Sequence, residues 1–87
     1  MKYRKKPVLI EGIQFKRNEF EEINEFTDGK AFNFRTERHI NGKSYCEIKT
    51  SAGTITAAED DYIIKGIDGD FYTCEPDIFE KTYELVK

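Results

Sequence analysis

Apolar and polar positions alternate with a period near two over most of this chain, and switch to a period of three to four over one short stretch. The first apolar run, in residues 7–15, opens with Val8-Leu9-Ile10, which is apolar on both faces of a strand and predicts a central position in a sheet. Gly12 inside it marks either a bulge or a close approach by another element. Phe20, Ile23 and Phe26 then recur at spacing three, the apolar stripe of a short amphipathic helix. Asn18 is the expected N-cap, with Glu21 as its capping-box partner, and Gly29 the expected C′ residue.

The remainder reads as strands separated by turn signals. Phe32 and Phe34 are expected on one face, with Asn33 and Arg35 on the other. Asn41-Gly42 predicts a type I′ hairpin, because both positions tolerate positive φ. Residues 44–50 place Cys46 and Ile48 on one side, and Ala52-Gly53 turns the chain into a strand over 54–58. Strands over 62–67 and 71–74 flank Asp68-Gly69, a second hairpin signal. Pro76 suits the first position of a helical turn over 76–81, whose Ile78 and Phe79 are expected to dock on the sheet. Residues 82–86 complete the pattern as a last strand.

Strands joined by short hairpins favour antiparallel pairing. The expected fold is therefore α+β: a curled, mainly antiparallel sheet forming a partial barrel, with one N-terminal helix and a short C-terminal helical turn. With 87 residues the chain is expected to be a single domain, residues 1–87. One helix cannot cover so wide a sheet, which makes a homo-oligomer the expectation. Seven Phe and five Tyr, with Ile, must supply most of the core.

The formal net charge of -3 disfavours general nucleic-acid binding, which needs many unopposed cations. The charge is unevenly placed: Lys2, Arg4, Lys5 and Lys6 form a basic start, and Glu19, Glu21, Glu22, Glu25 and Asp28 an acidic block. Tyr3 among the basic residues offers a base-stacking alternative to a solvated start. No run approaches the length of a membrane span, and Met1 is followed by charges without an apolar h-region, so a cytoplasmic protein is expected. In that reducing compartment Cys46 and Cys74 are expected as free thiols, both small buried core residues.

Few residues combine into a catalytic set. His39 is the only histidine, placed beside the Asn41-Gly42 turn where a general base would be poorly held. Two isolated thiols and one distant histidine do not make a zinc site. Glu59-Asp60-Asp61 lacks the offsets of a hard-cation loop and reads as a solvated turn. Glu11 differs, because the strand pattern puts it on a face with Leu9, Ile13 and Phe15. There it is either a ligand contact or general base in a pocket, or it lies at a bulge or is paired with Lys or Arg from a neighbouring strand.

The stretch from Asp61 to Glu84, D-Y-I-I-K-G-I-D-G-D-F-Y-T-C-E-P-D-I-F-E-K-T-Y-E, resembles the C-terminal signature of a family of small bacteriophage and prophage proteins. That signature runs P-G-D-Y/W-I-I-K/R-G-V-x-G-E-F-Y-P-C-K-P-D-I-F-x-x-T-Y-E. The opening, Tyr3 to Glu11, is similar to the family's Y-R-K-K-P-V-x-I-E-A. Glu59-Asp60 stands in place of Pro-Gly, Gly12 of Ala, Thr73 of Pro and Glu75 of Lys; the missing Lys beside Cys74 weakens any anion site there. The resemblance implies a phage or prophage protein working in a bacterial cytoplasm, and it implies no enzyme. The expected function is that of a non-catalytic binding module acting on a host protein or small molecule. A small enzyme with Glu11 as base and a nucleic-acid binder using the basic start are the alternatives. The candidate ligand-binding residues are Glu11, Asp61, Tyr62, Tyr72 and Asp77; no metal or cofactor is expected.

Overall fold

The computed structural model describes residues 1–4 and 6–86. Six strands and two short helices follow in the order β1 (Glu11–Gln14), α1 (Phe20–Phe26), β2 (Ala31–Thr36), β3 (Ser44–Thr50), β4 (Gly53–Ala58), β5 (Tyr62–Lys65), β6 (Phe71–Cys74) and α2 (Pro76–Thr82). The fold is α+β, and every strand pairing is antiparallel. The strands form two three-stranded sheets, β1-β5-β6 and β2-β3-β4, and not one curled sheet. The division falls at Glu59-Asp60-Asp61. Asp60 takes a left-handed φ of 79° and its N–H bonds Phe15 O at 2.7 Å, while Phe15 N–H bonds Asp61 O at 2.8 Å. The chain therefore leaves β4 and delivers β5 to β1.

The first strand is shorter than the pattern predicts and lies at a sheet edge. Glu11 pairs with Lys65, and β5 ends there because Gly66 begins the turn to β6. Residues 7–10 consequently have no strand beside them, and Val8 and Leu9 are exposed. Gly12 makes no bulge, but the close approach is real. A Cβ there would lie 3.6 Å from Ile63 O and 3.7 Å from the Phe79 ring, which is ordinary contact. Gly12→Ala is thus expected to raise stability by about 0.5–1 kcal/mol, since Gly loses the most backbone freedom on folding. A thermal melt checks it, and a lowered midpoint would show that Phe79 cannot accommodate the methyl.

Helix α1 carries its stripe inward as expected, with Ile23 fully buried and Phe20 and Phe26 packed on the core. Its ends differ from expectation. Asn18 adopts φ 69°, a left-handed turn conformation that Asn tolerates, so the N-cap is Glu19 and no side chain caps the helix. At the other end Gly29 N–H bonds Asn24 O at 2.9 Å and Asp28 N–H bonds Glu25 O at 3.2 Å, a Schellman closure with Asp28 at C′ and Gly29 one position later.

In β2 the register shifts between Phe32 and Arg35, with Asn33 at φ 57°. This bulge separates the two phenylalanines: Phe34 packs on the core, while Phe32 is exposed. The β2–β3 connection is also longer than a two-residue turn. The N–H groups of Ile40, Asn41 and Gly42 converge on Glu37 O, and of the Asn41-Gly42 pair Gly42 alone has positive φ. Strands β3 and β6 match their expected bounds, and Cys46 and Ile48 share the buried side of β3. Residues 83–86 form no strand. Thr82 Oγ1 donates to Ile78 O at 2.7 Å and Tyr83 N–H to Phe79 O, which carries the chain onward from α2.

The main core lies between the two sheets under α1. Phe15, Ile23, Ala31, Cys46, Ile48, Ala57, Ile63 and Phe71 are buried in one cluster. Sheet β1-β5-β6 presents Ile13, Ile63 and Phe71 to it and turns Tyr62, Ile64 and Tyr72 the other way, towards α2.

Candidate functional site

The α2 side of sheet β1-β5-β6 brings together the largest set of aromatic groups outside the core. Tyr62 stacks on Phe79 with ring centres 3.7 Å apart and planes 5° from parallel, and Phe79 in turn meets Tyr83 at 4.9 Å. Gly12 leaves the space into which the Phe79 ring fits. Ile64 is buried beneath this layer. Helix α2 itself buries no residue fully, so the cover is incomplete: Tyr72 remains 43% exposed and Ile78 53%. Of the expected docking pair, Phe79 docks and Ile78 faces solvent. The Tyr72 ring lies over Gly66, where an added Cβ would come within 2.5 Å of its hydroxyl. That absence of a side chain fixes the ring's seat.

Of the five candidate ligand residues, the structure gathers two. Tyr62 and Tyr72 project from neighbouring strands on this face. Asp77 stands exposed in the first turn of α2, where its charge suits the helix dipole, although it makes no capping bond. Asp61 precedes β5, and its Oδ2 accepts from Ala58 N–H at 3.1 Å, which closes the β4–β5 turn. Glu11 projects from the opposite face of β1, level with Lys65. It shares that face with Ile13 as expected but is exposed, at the margin of a shallow hollow of about 260 Å³ lined also by Leu9, Ile10, Gly66 and Ile67. A second open depression, of about 440 Å³, lies among Lys30, Lys49, Ser51 and Asp70. There Ser51 Oγ donates to Asp70, which holds that carboxyl below the ordinary range.

The remaining candidates have structural work. Glu59 accepts Ser44 N–H at 3.1 Å and pairs with Arg17 at 3.3 Å, and Asp60 pairs with Lys16 at 2.9 Å. Arg17 also donates to Gly42 O. The acidic turn is thus a clasp joining the end of β1, the β2–β3 loop and β4. Among the described residues no three His, Cys, Asp or Glu side chains converge as a metal site would require. His39 is exposed in the β2–β3 loop. On the outer face of sheet β2-β3-β4, Arg35 bonds Glu47 at 2.6 Å and lies over Tyr45, and Lys49 lies over Phe32. Of the basic start, Lys2, Arg4 and Lys6 are exposed, and Lys5 lies outside the described residues.

The thiols are free and unequal: Cys46 is buried, Cys74 half-buried. Burial, aided by the charge of Glu47, pushes the Cys46 thiol up from 9.0 to about 12. Two consequences are expected. A thiol reagent near pH 8 modifies Cys74 readily and Cys46 only on unfolding, since the thiolate is the reactive form. Because the folded value is raised, the contribution of Cys46 to stability is complete below pH 9 and is lost as pH climbs towards 12. Comparing the alkaline melting profile with that of Cys46→Ala isolates it; identical slopes would show that the thiol titrates freely.

The stack of Tyr62, Phe79 and Tyr83 is the element that pattern reading missed. Its signal was the spacing of four between Phe79 and Tyr83, which puts both rings on one side of α2. Comparison of the chain with protein-family models, with curated proteins and with solved structures gave no match.

Proposed function

We propose that this protein is a non-catalytic interaction module of phage or prophage type that engages a host protein in the bacterial cytoplasm through the α2 side of sheet β1-β5-β6. The observation that carries the reading is the half-open Tyr72, seated over Gly66 on a β-strand beside a stacked aromatic set, with Ile78 exposed on the helix above. Rigid tyrosines with an apolar body and a hydroxyl rim are the side chains that anchor protein interfaces. The two hollows are open depressions, whereas a small-molecule site buries most of its ligand's surface, so a protein surface is the better match. Burial pushes the Cys46 thiol up, and His39 stands exposed in the β2–β3 loop, so neither is an activated nucleophile. No helix among the described residues is long and apolar enough to cross a membrane.

The test compares immobilised wild type with Tyr72→Ser and Ile78→Ser in extracts of the bacterial host. A host protein held by the wild type and lost with both variants, at unchanged melting temperature, supports the reading. Retention by both variants, or no retained protein at all, overturns it.

A further inference from the structure

We propose that two copies of this chain associate about a twofold axis through the open edge of β1, each laying its basic opening segment on the acidic α1 of the other. Strand β1 is bonded to β5 on one side only. Val8 and Leu9, which precede it, are apolar, 46% and 78% exposed, and unpaired because β5 has already turned at Gly66. Glu11 is the one charge within β1, and the apolar edge that precedes it, free of any bulge, is a template for another strand.

The charges supply the direction. Lys2, Arg4 and Lys6 are exposed, and among the described residues they form no ion pair. Glu19, Glu21, Glu22 and Glu25 are likewise exposed and unpaired at and along α1. Within one chain the two groups lie beyond opposite ends of β1: the basic segment enters the strand where the chain arrives, and α1 follows where it leaves. Antiparallel pairing of two β1 strands reverses this. With the axis at Ile10, which keeps opposed residues on one face, residues 6–9 of each copy run beside β1 of the other. Lys2 and Arg4 then lie beyond Phe15, towards the start of the other copy's α1. Pro7, which lacks an N–H, falls opposite Ile13, where its nitrogen faces away from the other copy and no ladder bond is lost. Twofold symmetry makes every contact twice. A second copy is the occupant that carries both complementary elements in one arrangement.

Light scattering on the full chain at low salt and high micromolar concentration is expected to give twice the monomer mass, falling towards the monomer as salt screens the charges. Two variants sharpen the test: one with Lys2, Arg4 and Lys6 changed to Glu, the other with Glu19, Glu21 and Glu22 changed to Lys. Each alone sets like charge against like and is expected to be monomeric; mixed in equal amounts they are expected to recover the doubled mass, as a heterodimer. Amide exchange over residues 8–14 is expected to slow as the wild-type dimer forms. A monomeric wild type, a variant that dimerises by itself, a mixture that stays monomeric, or exchange over 8–14 that is indifferent to concentration each overturns the proposal.

Discussion

Phe15→Ala is expected to lower the unfolding free energy at 25 °C by about 3–5 kcal/mol. Phe15 is fully buried, meets Phe20 edge to face at 6.1 Å, and sits where the two sheets join. Its backbone makes both of the short bonds to Asp60 and Asp61. Removing a buried Phe side chain costs about 3–5 kcal/mol through lost burial and the cavity left behind. At roughly 0.05–0.15 kcal/mol per residue, a chain of 87 residues has about 4–13 kcal/mol in total. The loss is therefore a large fraction of the whole. Urea denaturation followed by circular dichroism measures it. A loss below about 1 kcal/mol would mean that the ring is not enclosed as described.

The second large effect is at Thr27, a buried polar residue. Its Oγ1 donates to Ile23 O at 2.9 Å and accepts the N–H of Ala31 at 3.2 Å, so one hydroxyl ties the last turn of α1 to the first residue of β2. Thr27→Val keeps the shape but leaves the Ala31 N–H facing a methyl group. The expected cost is about 1–3 kcal/mol, the desolvation penalty of an unmet buried donor. Thr27→Ser retains the hydroxyl and is expected to recover most of it. Equal losses in both variants would assign the effect to packing and remove the hydrogen bonds from the account.

Much of the architecture was legible because it depends on local pattern. The alternation in residues 44–50 and 71–74, the spacing-three stripe of Phe20, Ile23 and Phe26, and Pro76 at the start of α2 each report a periodicity that folding preserves. The misreadings come from long-range partners. Nothing within Val8-Leu9-Ile10 announces that β5 stops opposite Glu11, so a run suited to a sheet centre is left beside an edge. The bulge at Asn33 depends on how β2 meets β3, and it reversed the face assigned to Phe32. The pattern makes Asn18 a cap, but Asn serves equally in a left-handed turn, and the connection from β1 requires the turn. At the candidate site the same division holds. Tyr62 and Tyr72 share a face because alternation demands it. Glu11 lost its expected apolar enclosure because the segment before it does not continue the sheet.

The pairing of β1 with β5 sets the order in which this molecule can assemble. Strands β2, β3 and β4 follow one another in sequence and can zip up as soon as residue 58 is available. Residues 11–14 must wait for residues 62–65, about fifty positions later, before they acquire any ladder partner. Contacts so distant along the chain form late, since the intervening loop must first be closed. During synthesis, then, residues 11–14 emerge before the other strands yet are among the last to be secured, and they stay accessible to whatever else is nearby until residues 62–65 have been made.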